Sequence, residues 1–225
     1  MTDTERFARE AKWANVYHDS IRDKRWLDEV AIYPGRWAVN YSMLYLLVRI
    51  LQLFKPGKII EFGLGESSKL ISKFIENELH NTKHLILEES RVWAENFTSR
   101  FILSHNSEIM HLDLVRKKIR GFNLNCYKDI LEKINETYDL YVIDGPTALR
   151  HYSRYDICWL AESFTPDDEY IIIMDDYNRR SEKNTVRDLI RILKKKKINF
   201  HTWEYDGSKS QFLIATNKYY YAITL

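Results

Sequence analysis

The chain has 225 residues, of which 45% are hydrophobic and 29% charged, and its 34 Lys and Arg residues against 32 Asp and Glu residues leave a net charge of +2. This composition predicts one globular domain with a full core and excludes disordered, collagen-like and disulfide-stabilised proteins, the last because only Cys126 and Cys158 occur. The balanced charge argues against a nucleic-acid partner. No apolar stretch reaches the length of a membrane span, about 18 residues, and a cytoplasmic protein is expected.

Residues 1–36 read as a helical appendage or lid on a domain formed by residues 37–225. Residues 5–21 have helical spacing, and Pro34-Gly35 marks a turn before the next segment. The aromatic residues of this region either form a lid that stacks on sugar rings or anchor the appendage to the core, and they are Trp13, Trp26, Tyr33, Trp37 and Tyr41.

From residue 41 onward, helical segments alternate with short apolar runs. Helices are predicted over 41–54, 67–78, 91–103 and 182–195, and strands over 58–63, 84–89, 108–114, 138–145 and 169–176. Such alternation predicts a parallel sheet with helices on both faces. Residues 199–206 and 210–216 have no room for a helix between them, so they predict an antiparallel hairpin at one edge. Residues 219–221 have the composition of an edge strand that could pair with a second copy in a homodimer.

Ligands of open α/β sheets bind beyond the carboxyl ends of the strands. The first such end, EFGLGESS at 61–68, has Gly63 and Gly65, which allow the backbone to approach a ligand closely. Ser68 departs from the dinucleotide pattern G-x-G-x-x-G, and a tight connection capped by Ser67 or Ser68 is the alternative interpretation.

An acidic pair, Glu88 and Glu89, ends the next predicted strand, 25 residues after Gly63. A carboxylate in this position can accept hydrogen bonds from the ribose hydroxyls of a nucleoside. The alternative is that both residues open the following helix, where negative charge is favourable.

These segments together resemble the class I S-adenosylmethionine-dependent methyltransferases over about residues 37–216. The resemblance rests on EFGLGESS, LEES at 87–90, YDLYVIDGP at 138–146, YIIIMDDY at 170–177 and the closing hairpin. It implies a Rossmann-like, doubly wound, mostly parallel seven-stranded sheet with a C-terminal antiparallel hairpin. It also implies that S-adenosylmethionine contacts a set consisting of Glu61, Gly63, Gly65, Ser67, Ser68, Glu88 and Glu89.

The strand ends IDG and MDDY resemble the metal site of cation-dependent O-methyltransferases, especially sugar-modifying ones. Asp144, Asp175 and Asp176 would bind Mg²⁺ or Mn²⁺, and the cation would hold the acceptor hydroxyl and lower its pKa. The alternative is that Asp175 and Asp176 satisfy turn amides, while Asp144 contacts the cofactor.

The acid that often follows two positions after the first aspartate in those enzymes is replaced by Pro146, so His151 is the predicted general base beside Asp144. The IDGP sequence resembles plant polysaccharide O-methyltransferases, which favours a saccharide acceptor. Four arginines flank the strand ends and could bind an anionic acceptor, although solvated loops are the favoured interpretation of Arg150, Arg154, Arg179 and Arg180.

The sequence thus predicts an S-adenosylmethionine-dependent methyltransferase that acts on a hydroxyl of a saccharide or other small molecule with help from a divalent cation. The alternatives are a nucleotide-sugar or NAD-dependent oxidoreductase and a non-catalytic binding protein on the same fold.

Overall fold

The computed structural model describes residues 2–35, 38–147 and 149–225. Its strands are β1 Lys58–Phe62, β2 Lys83–Glu88, β3 Ser107–His111, β4 Leu114–Ile119, β5 Phe122–Tyr127, β6 Leu140–Ile143, β7 Ile171–Met174, β8 Phe200–Asp206 and β9 Ser210–Thr216. Its α-helices are α1 Asp3–Ser20, α2 Tyr41–Phe54, α3 Glu66–Asn77, α4 Arg91–Thr98, α5 Ile130–Lys133, α6 Asp156–Ala161 and α7 Arg180–Lys195.

A seven-stranded sheet with the order β3-β2-β1-β6-β7-β9-β8 forms the centre of the molecule. The pairs β1 with β2, β1 with β6, β2 with β3 and β6 with β7 are parallel, whereas β9 runs antiparallel to both β7 and β8. The predicted fold class is therefore confirmed, including the closing hairpin.

Helices cover both faces of this sheet, because its central strands are apolar on both sides. In β6, Leu140 and Val142 pack with residues of α2 and α3, while Tyr141 and Ile143 pack with residues of α6 and α7. This alternation follows from the two-residue period of a strand. None of the helices in the described ranges combines the length and apolar character that crossing a membrane requires.

Aromatic contacts anchor the N-terminal segment to the core. The Trp13 ring packs 5.3 Å from that of Tyr45, and its Nε1 donates a hydrogen bond of 3.0 Å to the carbonyl of Asp206. Trp26 meets the ring of Phe74 edge-on at 4.9 Å. These contacts favour the anchoring interpretation for both tryptophans. Trp37 lies outside the described residues.

Several segments differ from the sequence predictions, which also lack the short helices α5 and α6. The hairpin of β4 and β5 was not expected, and its turn residues Arg120 and Gly121 have positive φ angles of 51° and 84°, as in a type I′ turn. Helix α4 ends at Thr98 and not at residue 103. The predicted edge strand at 219–221 is wrong, because these residues lie in a 3-10 segment, Asn217–Thr224, that buries Tyr219 against Phe54.

Asp156 links the β4–β5 hairpin to α6, and its buried carboxyl makes the free energy of unfolding depend on pH. It is fully buried, and its Oδ1 accepts a hydrogen bond of 3.0 Å from the amide of Tyr127. Within the described residues, its Oδ2 has no hydrogen-bond partner. Burial raises the pKa of Asp156 to about 7. Folded Asp156 therefore keeps a proton that an unfolded chain loses near pH 4.

We expect Asp156→Asn to flatten the pH dependence of stability. Because the wild-type folded state binds this extra proton between about pH 4 and pH 7, its free energy of unfolding falls as the pH rises through that window, by a few kcal/mol at most. The side-chain amide of the variant does not titrate, so this fall in the free energy of unfolding disappears. Urea unfolding at pH 5 and pH 8 measures it, with exposed Asp167→Asn as the control. Equal pH slopes for wild type and Asp156→Asn would contradict the expectation.

Candidate functional site

The turn between β1 and α3 lies against the end of β6. The Gly63 amide donates a hydrogen bond of 2.8 Å to the carbonyl of Leu87. Gly63 has a φ of +99°, and a Cβ atom added to it would lie 3.3 Å from the amide nitrogen of Gly145. A Cβ on Gly145 would lie 2.9 Å from the Tyr127 hydroxyl. Glycine is therefore required by conformation at Gly63 and by space at Gly145.

Glu61 stabilises this turn through hydrogen bonds made inside the core. Its carboxylate accepts a short hydrogen bond from the Ser67 hydroxyl, and its Oε2 lies 3.1 Å from Nε2 of His84. Glu61 is fully buried and does not line the cavity described below. The Ser68 hydroxyl accepts a hydrogen bond of 3.0 Å from the Gly65 amide and caps α3. Glu61 and Ser68 thus hold the turn, and of the two predicted serines it is Ser67 that borders the cavity.

Glu88 and Glu89 fix the neighbouring strand end. Glu88 accepts hydrogen bonds from the amides of Leu64, at 3.0 Å, and Ser90, at 2.7 Å. Burial raises the pKa of the Glu88 carboxyl above its usual value. Glu89 accepts a hydrogen bond of 2.9 Å from the Thr147 hydroxyl. The two carboxylates therefore connect the ends of β1, β2 and β6.

A cavity of about 540 Å³ opens at these strand ends, which is within the usual size range of small-molecule sites. A second cavity of about 740 Å³, over α3 and α4, contains none of the strand-end residues of β2 and β6. The first cavity is lined by Ala38, Val39, Gly63, Leu64, Gly65, Glu66, Ser67, Glu88, Glu89, Ser90, Trp93, Asp144, Gly145 and Thr147.

The three predicted metal ligands meet beside this cavity. Asp144 follows β6, Asp175 and Asp176 follow β7, and one oxygen atom from each lies within 4.8 Å of the others. Asp175 and Asp176 are buried, whereas the Asp144 side chain keeps 23% of its surface exposed and borders the cavity.

Two cationic side chains of the same chain occupy this cluster. Nη2 of Arg154 lies 2.9 Å from Oδ1 of Asp144 and 2.7 Å from Oδ2 of Asp176, and Nη1 donates to the carbonyl of Asp175 at 2.7 Å. The Lys209 ammonium lies 3.3 Å from Asp175 Oδ2 and 3.7 Å from Asp176 Oδ1. Burial alone would raise the pKa of Asp175, but Lys209 and Arg154 hold it below its usual value.

This arrangement does not fit a divalent cation. Mg²⁺ and Mn²⁺ require free carboxylate oxygens at about 2.0–2.2 Å, and the Arg154 guanidinium already uses one oxygen each of Asp144 and Asp176. In the described part of the chain, Oδ1 of Asp176 is a buried oxygen without a hydrogen bond. That oxygen lies 3.7 Å from the Lys209 ammonium, so a divalent cation bound there would meet a positive charge at close range.

A buried polar chain connects the cluster to the N-terminal helix. Nε2 of Gln211 donates to Oδ1 of Asp175 at 2.7 Å and to Oδ1 of Asn40 at 2.9 Å. Nδ2 of Asn40 lies 3.3 Å from Oε2 of Glu10 in α1. Glu10 also accepts hydrogen bonds from the amides of Tyr41 and Ser208. The predicted appendage therefore helps to fix the loop that carries Lys209.

His151 does not border the cavity. Its ring stacks on that of Phe122 in the β4–β5 hairpin, with centroids 4.1 Å apart. Among the four predicted arginines, Arg150 is exposed, Arg180 is the first residue of α7, and Arg179 reaches Asp176 at 3.0 Å. The favoured solvated-loop interpretation is wrong for Arg154, which is 4% exposed. No local pattern marks Arg154 or Lys209, because their contacts are distant in sequence.

The described fold is shared with solved O-methyltransferase structures. The O-methyltransferase TomG from Streptomyces achromogenes, involved in tomaymycin synthesis and solved with SAM, aligns at TM-score 0.58 and 15% identity over 96% of this chain and 99% of its own. A putative O-methyltransferase from Klebsiella pneumoniae aligns at 0.54 and 14% identity over 90% of each chain.

An O-methyltransferase from Bacillus cereus, solved with SAH, aligns at TM-score 0.52 and 13% identity over 90% of this chain and 91% of its own. No family model and no curated relative matches the sequence. At these identities the comparisons establish the fold of the chain and leave its chemistry to the site.

If the turn is part of the S-adenosylmethionine site that the sequence predicts, Gly65→Val should weaken binding of S-adenosylhomocysteine without unfolding the protein. Gly65 lines the cavity, its φ is extended, and no atom lies within 4 Å of an added Cβ. A bulky side chain there would occupy ligand space and lower the affinity at least about tenfold. Calorimetric titration and thermal unfolding give the two readouts. Gly35→Val, also at an open position, is the control, and unchanged affinity of Gly65→Val would remove the turn from the site.

The sequence prediction that Glu88 contacts ribose hydroxyls is tested by Glu88→Ala, which should weaken binding of S-adenosylhomocysteine by about 1–3 kcal/mol, because a buried pair of ligand hydroxyls would lose its acceptor. The variant also frees the amides of Leu64 and Ser90, so its stability is measured in parallel. Glu95→Ala removes an exposed carboxylate from nearby α4 and should leave the affinity unchanged. Equal affinities of the two variants would exclude Glu88 as a ligand contact.

Proposed function

We propose that the protein is an S-adenosylmethionine-dependent O-methyltransferase. The observation that carries the proposal is that the glycine turn, Glu88 and Asp144 all border one cavity at the carboxyl edge of a sheet with this strand order. The fold shared with TomG and the Bacillus cereus enzyme, whose structures hold SAM and SAH, supports the same assignment.

The cavity residues suit a sulfonium nucleoside. The open Cβ position of Gly65 leaves backbone accessible to the ligand. Glu88 uses one lone pair of each oxygen on backbone amides, which leaves lone pairs for ribose hydroxyls. Glu89, Ser67 and the backbone of Gly63 complete the proposed cofactor set, while Glu61 and Ser68 act through the turn that they support.

Asp144 is the proposed general base. Its carboxylate borders the cavity, and burial raises its pKa above the usual value while Arg154 opposes that shift. A more basic carboxylate takes up a hydroxyl proton more readily at neutral pH. When bound, S-adenosylmethionine supplies an electrophilic methyl group, so that the acceptor oxygen gains a C–O bond while the C–S bond breaks with both electrons going to sulfur. Asp144 takes the proton that the hydroxyl loses.

The acceptor is proposed to be a small molecule with a hydroxyl group, and the resemblance noted in the sequence favours a saccharide. His151 is not part of the proposed machinery, because its ring is stacked on Phe122 away from the cavity lining. A homodimer stays a prediction, without the edge strand expected at 219–221.

Binding of S-adenosylhomocysteine and of NAD to the purified protein tests the cofactor class. The O-methyltransferase proposal expects a 1:1 calorimetric isotherm with S-adenosylhomocysteine and none with NAD. The reverse result would favour an oxidoreductase. Binding of S-adenosylhomocysteine without transfer of labelled methyl to any member of a broad hydroxyl panel would favour a non-catalytic protein.

On an acceptor found in that panel, Asp144→Asn should lower kcat by about 100-fold or more, because the amide cannot accept the hydroxyl proton. Asp167→Asn removes an exposed carboxylate and serves as the matched control. Full activity of Asp144→Asn would exclude Asp144 as the base and leave the cofactor assignment intact.

A further inference from the structure

We propose that Arg154 and Lys209 replace the divalent cation at this site, so that the strand-end aspartates carry a built-in positive charge and the protein works without a bound metal. This inference rests on the proposed function.

Arg154 is built into the cluster. Its side chain is 4% exposed, and one nitrogen bridges carboxylates that follow two different strands, Asp144 after β6 and Asp176 after β7. The second terminal nitrogen bonds the main-chain carbonyl of Asp175. A guanidinium group cannot lose its proton in a protein, so this positive charge is permanent.

The backbone around the cluster is also adapted to these contacts. Arg154 and Asp176 both have positive φ angles, of 53° and 55°. This conformation is unfavourable for a non-glycine residue and persists only where the surroundings enforce it. The two strained residues are the two partners of the shortest ion pair of the cluster, at 2.7 Å.

The charges nearly balance without an added ion. Four carboxylates meet here, since Glu182 of α7 lies 3.9 Å from Nε of Arg154 beside the three aspartates. Among the residues that the structure describes, Arg154, Lys209 and Arg179 supply three positive charges against them. The negative charge that would attract a divalent cation is therefore largely neutralised by cationic side chains of the same chain.

Arg154 is therefore a positioning residue for the proposed base. By holding Oδ1 of Asp144, the guanidinium fixes the carboxylate at the cavity border and stabilises its charged form. Lys209 holds Asp175 and faces Asp176 from the β8–β9 turn, so the second half of the cluster is neutralised from the opposite side.

Titration of wild-type protein with Mn²⁺ tests the inference without needing an acceptor. The electron paramagnetic resonance signal of free Mn²⁺ measures binding, with and without S-adenosylhomocysteine. We expect no binding tighter than about 1 mM at the cluster. A 1:1 site tighter than about 1 mM that Asp175→Asn abolishes would overturn the proposal, whereas binding that survives Asp175→Asn lies elsewhere and leaves the proposal standing.

Arg154→Gln supplies the second measurement. Removal of the guanidinium frees oxygens of Asp144 and Asp176, so Mn²⁺ affinity should rise at least about tenfold, while Arg150→Gln, at an exposed position, should change nothing. A folded Arg154→Gln protein that gains no affinity would contradict the claim that Arg154 occupies the cation position. If this variant does not fold, the wild-type titration decides.

Binding of S-adenosylhomocysteine in the same samples separates the two proposals. If the cofactor assignment is wrong, S-adenosylhomocysteine does not bind. If Arg154 and Lys209 do not replace the cation, Mn²⁺ binds tightly at Asp175 in protein that still binds S-adenosylhomocysteine.

Discussion

Parallel pairing of β1 with β2 and with β6 is the constraint on which the site depends. The register aligns Phe62 with Leu87 and with Ile143, the last or next-to-last residues of three strands. Because parallel strands end at the same edge, the residues that follow them are brought together whatever their separation in sequence. Gly63, Glu88 and Asp144 border a common cavity for this reason.

Much of this arrangement could be predicted from short segments of the sequence. The strand ends follow from apolar runs such as IIIM in β7, and the turn follows from Gly63 and Gly65, so the sheet and the meeting of the three aspartates could be predicted. The hairpin of β4 and β5 could not, because Arg116, Lys117 and Lys118 make its first strand polar and partly exposed. Its apolar anchor, Leu124, packs on residues far away in the chain.

The charged cluster was harder to predict, since its electrostatics depend on side chains that no spacing rule connects. Arg154 follows Asp144 by ten residues of irregular chain, and Lys209 comes from a turn 33 residues after Asp176. Three carboxylates viewed alone suggest a metal, whereas the same carboxylates with their partners form a buried ion-pair network. Removal of one partner from such a network leaves an uncompensated charge, which is why its members depend on each other.

Glu10 adds a mechanical consequence to this network. Its carboxylate accepts hydrogen bonds from the first residue of α2 and from Ser208, directly beside Lys209. The β8–β9 turn is thereby tied to helix α1, which the Trp13 contacts anchor to the core. Because Ser208 and Lys209 are neighbours in this turn, a displacement of α1 would also disturb the lysine that pairs with Asp175.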